Sequence, residues 1–101
     1  QGCYIGDDVT IGHMALLHSC TIEDRVLIGM QSCVMDDVLV QSESMVAAGS
    51  LVTPRTVVPS RQLWAGRPAR YVRDLTDDEV AHLRKSANDY VRVSRGYLGR
   101  D

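Results

Sequence analysis

Two imidazoles five residues apart, His13 and His18, are the strongest chemical signal in the chain. Neutral imidazole is the commonest metal ligand among side chains, so a closely spaced pair is a candidate metal site. On residue type alone, such pairs are more often polar contacts at an interface than ligands. Cys20 follows His18 by two residues, but its position matches the small, inward slots of the pattern described below, which makes it a buried thiol rather than a ligand. The remaining histidine, His82, falls in a predicted helix and reads as a surface residue. Cys3, Cys20 and Cys33 are odd in number and lack CxxC spacing, which argues against a disulfide framework and a cysteine-based zinc knuckle. A reducing, cytoplasmic compartment is the simplest expectation.

The elements that must position these histidines are legible from an internal period. Aliphatic residues recur at Ile5, Ile11, Leu17, Ile22, Ile28, Val34, Val40, Val46, Val52 and Val58. Each step is six residues except Leu17 to Ile22, which is five. Small or branched residues stand two positions earlier, as at Val9, Ala15, Cys20, Val26, Ser32, Val38, Ser44 and Ser50. A period of six fits neither an α-helix nor a lone amphipathic strand. It fits a short strand and a sharp corner, repeated, with three sides to a coil and about three coils in all. Gly6, Gly12 and Gly29 follow the anchor and are expected to relieve the backbone where a corner needs positive φ. Pairs such as Asp7-Asp8 and Asp36-Asp37 belong at the exposed corners. The fold class is therefore mainly β, a parallel β-helix of hexapeptide repeats over residues 1–60.

Pro54 and Pro59 are expected to stop the ladder, leaving residues 61–74 as an irregular exit segment with Trp64 packed on the prism. Thr76-Asp77-Asp78-Glu79 is a capping box, with acids in the first turn where the helix dipole favours them. Val80, Leu83, Ala87, Tyr90 and Val91 follow at helical spacing, so residues 75–98 are predicted as a C-terminal helix lying on a face of the prism of its own or a neighbouring subunit.

The chain has 101 residues, a net charge of −2, and only four Tyr and one Trp as aromatics. The charge gives no argument for nucleic acid or an anionic membrane as partner, and no apolar run reaches spanning length. The opening residue is Gln1 inside a repeat, which reads as a cut N-terminus.

Ile11-Gly12-His13-Met14-Ala15-Leu16-Leu17-His18-Ser19-Cys20, followed by Ile28-Gly29-Met30, resembles the two-histidine run of the γ-class carbonic anhydrase family of hexapeptide-repeat proteins. Leu63-Trp64-Ala65-Gly66-Arg67-Pro68-Ala69-Arg70 resembles its exit segment, and Ser86-Ala87-Asn88-Asp89-Tyr90 resembles a helical motif of its bacterial and plant mitochondrial branches. The resemblance implies a left-handed β-helix, a hand that the period alone would not give. It further implies a homotrimer with one zinc (iron or cobalt as alternatives) at each subunit interface, where zinc-hydroxide hydrates carbon dioxide to bicarbonate. His13 matches the ligand donated across the interface and His18 a ligand on the other subunit. Tyr90 matches a tyrosine placed near the metal, the expected catalytic positioning group. Met14 and Met30 resemble apolar lining of that pocket. The spacing is consistent, because a corner between His13 and His18 makes their side chains diverge within one chain. The family's third histidine, with the arginine, glutamine and aspartate that orient bicarbonate and move protons, belongs to a coil before Gln1. Metal and activity are thus expected to be incomplete in this chain. The alternatives are an inactive assembly trimer, or a hexapeptide acyltransferase or thioesterase acting on acyl-CoA, against which the uninterrupted period argues.

Overall fold

The computed structural model describes residues 2–85. Its strands are two-residue pieces at the hexad spacing: β1 Tyr4–Ile5, β2 Thr10–Ile11, β3 Leu16–Leu17, β4 Thr21–Ile22, β5 Leu27–Ile28, β6 Cys33–Val34, β7 Leu39–Val40, β8 Met45–Val46, β9 Leu51–Val52 and β10 Val57–Val58. They stack in parallel into three sheets, β1-β4-β7-β10, β2-β5-β8 and β3-β6-β9, which are the three sides of a β-solenoid of about three turns. Each anchor stands on an anchor: Ile11 on Ile28, Leu17 on Val34, Ile22 on Val40.

The two periodic positions make the core. Ile22, Ile28, Val34, Val40, Val46, Val52 and Val58 are wholly buried, and so nearly are Val9, Cys20, Val26 and Val38 from the slots two residues earlier. Branched side chains suit these short stacked strands, where they pack on their copies one coil away. Ser32, Ser44 and Ser50 occupy the same inward slots, and each donates its hydroxyl to a nearby carbonyl, Ala47 or Gln41. A buried hydroxyl so satisfied costs little.

The corners differ from expectation in one respect. Positive φ falls on the residue two after the glycine position, at Asp8, Met14, Arg25, Gln31, Asp37, Glu43, Gly49 and Arg55. From Arg25 onward these left-handed residues give their N–H to the corner of the preceding coil, as Arg25 does to Asp7 O at 2.9 Å and Gln31 to His13 O at 2.9 Å. The glycines are required for a different reason, which is close approach. A Cβ on Gly12 would stand 2.5 Å from Met30 N, and one on Gly29 would stand 2.4 Å from Ala48 N.

Prolines do not end the ladder. Pro54 precedes Arg55, whose N–H reaches Asp36 O at 3.0 Å, so the corner bond is made by the next residue. The expected irregular stretch 61–74 is instead a hairpin, β11 Gln62–Gly66 and β12 Ala69–Asp74. β11 adds a further parallel side, with Leu63 beside Met45 and Trp64 beside Val46. Trp64 lies six residues after Val58 and continues the anchor series with an aromatic, which is why an aliphatic pattern misses it. The chain then turns at Gly66 (φ 109°) and a cis Arg67-Pro68 peptide, and β12 returns antiparallel.

Residues 77–85 form the described part of the helix, α1. Its capping box is reciprocal: Glu79 N donates to Thr76 Oγ1 at 3.1 Å and Thr76 N donates to Glu79 Oε1 at 2.8 Å. Leu75, Val80 and Leu83 bury against Leu27, Met45 and Leu63, a ladder of outward side chains on β5, β8 and β11, so α1 packs on its own chain. Glu43 fastens it: this one carboxylate meets Arg84 at 2.7 Å, Arg25 at 3.2 Å and Arg61 at 3.8 Å. The Arg84 bond is the main reason its carboxyl is held below the usual range. Ala87, Tyr90 and the rest of the predicted helix lie outside the described residues.

The start of α1 carries a pH signature. Glu79 accepts two 2.7 Å bonds from Arg73, which with the Thr76 N–H lower its pKa from 4.5 to about 2. A carboxyl depressed on folding contributes stability above its unfolded pKa and loses it as pH falls through the folded one. Helical circular dichroism is therefore expected to decline between about pH 4.5 and about 2. In Glu79→Gln, which keeps an acceptor for Thr76 N–H but not the charge, the decline in that window should be shallower. An unchanged acid profile would contradict the assignment.

Candidate metal centre

The two histidines bracket one strand, so a side of the solenoid lies between them where a corner was expected. His13 sits in the turn between β2 and β3, and His18 follows β3 directly. Backbone bonds clamp both positions to the coil beyond: Gln31 N–H reaches His13 O at 2.9 Å, and His18 N–H reaches Val34 O at 2.9 Å. Gly12 lets this turn approach Met30, and Met14, at φ 60°, turns the chain into β3. The Cys3 thiol lies against the carbonyl of His18.

The corner carrying His18 is the anomalous one. β3 and β4 are separated by three residues, His18, Ser19 and Cys20, whereas the other neighbouring strands up to β10 are separated by four. This is the five-residue step seen in the sequence, and these three residues include none with positive φ. Asp37 N–H binds Ser19 O at 2.7 Å across to the next coil, and the Asp36 carboxylate then lies 3.8 Å from His18 Nδ1.

Both imidazoles are exposed, as are Met14, Leu16 and Met30 around them. The expected apolar surroundings are present as a surface rather than an enclosed pocket. Met14 is 81% exposed, a large value for an apolar side chain. His82 lies exposed on α1, as anticipated, and Cys20 is buried, with burial foremost in pushing its thiol up to about 12. That disfavours the thiolate a metal would need. Tyr90, the expected catalytic residue, lies outside the described residues.

Imidazole suits zinc, iron and cobalt alike. Among the described residues, however, no three His, Cys, Asp or Glu side chains converge on a point. The pair thus fits a metal as donors to a site completed by another chain or segment, and not as a site within residues 2–85. Sequence reasoning missed Asp36. Its signal was the coil length of 18 residues, disguised because the short corner makes the first coil 17.

No protein-family model matches the chain. It is 48% identical over 93 residues to "Gamma carbonic anhydrase 1, mitochondrial" of Arabidopsis thaliana, covering 92% of this chain and 34% of that protein. It is 47% identical over 94 residues to "Protein YrdA" of Escherichia coli, covering 93% of this chain and 51% of that one. Among solved structures, a hexapeptide transferase family protein from Anaplasma phagocytophilum superposes with a TM-score of 0.86 at 48% identity, over 94% of this chain and 57% of the other. The chain thus spans between a third and about half of these curated relatives.

Proposed function

Because the chain belongs to the γ-class carbonic anhydrase-like group of hexapeptide-repeat proteins, we propose that it is part of a metal-dependent protein that reversibly hydrates carbon dioxide at the interfaces of a homotrimer. The observation that carries this reading is the pair of exposed imidazoles bracketing β3 within an exposed apolar surface. His13 of one chain and His18 of its neighbour would hold the ion, zinc by preference. When bound, the ion supplies Lewis-acid activation of water for attack on carbon dioxide. The chain's own part is to orient the rings and keep water out. The clamped turns fix the two histidine backbones, and Met14, Leu16 and Met30 would bury between subunits, leaving a dry wall beside a small apolar substrate. Tyr90 would act as a positioning group from the C-terminal segment.

The test is carbon dioxide hydration and metal content measured on the same preparation. Activity lost on chelation and restored by zinc is expected of a protein that joins these coils to a segment supplying a third ligand. Failure to take up zinc would contradict the reading and favour an assembly trimer that has lost its metal. An acyl-CoA reaction is suggested by the names of several structural relatives, among them a putative acetyltransferase from Bacillus cereus at 32% identity and a hexapeptide-repeat acetyltransferase from Vibrio cholerae at 31%. Against it, the strands up to β10 follow one another with corners of three or four residues, so no loop projects from these described coils to carry a catalytic group.

Among the described residues no helix is long and apolar enough to cross a membrane. All three thiols, Cys3, Cys20 and Cys33, are free.

A further inference from the structure

We propose that Asp36 is a positioning residue for His18, holding the proton on Nδ1 so that Nε2 is left bare as a ligand. This deepens the metal reading above and rests on it.

With one residue fewer than its counterparts, the His18-Ser19-Cys20 corner cannot place a left-handed residue, and its carbonyl at Ser19 is met by Asp37 N–H at 2.7 Å. Asp37 itself takes φ 61°, and Asp36 O accepts from Arg55 N–H at 3.0 Å, so the Asp36-Asp37 corner is fixed from both neighbouring coils. Leu17 pairs with Val34, which puts Met35 in register with His18 and Asp36 one residue further, under the ring.

The resulting Nδ1–carboxylate separation of 3.8 Å is an ion-pair distance, longer than a hydrogen bond. The Asp36 side chain is 65% exposed, and the proposal requires it to close this gap to hydrogen-bond range. A neutral imidazole has one N–H, and whichever nitrogen donates leaves the other as acceptor or ligand. A carboxylate at Nδ1 selects the tautomer in which Nε2 is bare. Ligating histidines are commonly held in this way, and the carboxylate also raises ligand basicity. His13 has its carbonyl rather than its ring engaged by the adjacent coil, through Gln31 N–H. The two ligands would then be held differently, His18 by its ring and His13 by its backbone.

Two measurements test this, comparing Asp36→Asn with Asp37→Asn, which removes an equal charge from the same corner at a position where asparagine tolerates positive φ. In zinc-free protein, above the ordinary histidine titration range, nitrogen NMR should show the His18 proton on Nδ1. In Asp36→Asn it should redistribute toward Nε2, while Asp37→Asn should match the parent. Zinc affinity, read by chelator competition, should fall about tenfold or more in Asp36→Asn and stay unchanged in Asp37→Asn. A His18 tautomer indifferent to Asp36, or equal affinity losses in the two variants, would overturn the proposal. Undiminished zinc affinity in His18→Ala would instead overturn the metal reading, and the tautomer in zinc-free protein would still decide whether Asp36 holds the ring.

Discussion

Replacing either His13 or His18 with alanine is expected to weaken zinc binding by about a hundredfold or more, without loss of the fold. Removing a group that merely orients a ligand costs 10–100-fold, and removing the ligand itself should exceed that. Stability should be nearly untouched, because both side chains are exposed and the bonds that shape their corners come from the backbone. The two effects separate cleanly when affinity is measured by competition and stability by thermal unfolding. His82→Ala, on the exposed face of α1, should leave zinc affinity as it was. A single-histidine variant that binds zinc like the parent would remove that histidine from the site.

A second large effect is expected at Gly29. An added methyl would stand 2.4 Å from Ala48 N and 2.7 Å from Ala47 C, against backbone that cannot step aside without parting adjacent coils. The bond from Gly29 N–H to Val46 O, 2.8 Å long, would be strained with it. Gly29→Ala should therefore cost about 2–4 kcal/mol, from overpacking and a weakened ladder bond. Gly49→Ala is the informative contrast. Gly49 has φ 72° and open space where a Cβ would lie, so only the left-handed strain remains, about 1–2 kcal/mol. Chemical denaturation of both variants ranks them. Equal losses would mean that coil contact is not what demands glycine after the anchor. Gly12 obeys the same rule beside His13, its methyl facing Met30 N at 2.5 Å, so Gly12→Ala should disturb the His13 turn as well as stability.

Much of the architecture was readable because each hexad repeats one physical problem, burying one anchor and turning one corner. The series from Ile5 to Val58 located ten strands, and its five-residue step at Leu17 falls at the short corner. Two features escaped. Trp64 kept the six-residue beat but changed residue class, so the last side of the solenoid and the hairpin behind it read as irregular. The role of glycine was also misread, since close approach of the next coil is a property of the stack and leaves no local mark beyond the glycine itself. At the site, the histidines were conspicuous by type and spacing. Asp36 was not, because its nearness to His18 depends on coil length and on one missing corner residue, neither of which shows in a local motif.

The central claim is that His13 and His18 serve one metal from different chains. Mixing experiments address it most directly. His13→Ala protein retains His18, and His18→Ala protein retains His13, so each alone should fail to hold zinc. Unfolded together and reassembled, they should recover part of the parent's high-affinity zinc, because some interfaces would pair an intact His13 with an intact His18. If the mixture binds no more zinc than the separate variants, the two histidines do not share a site between neighbouring chains.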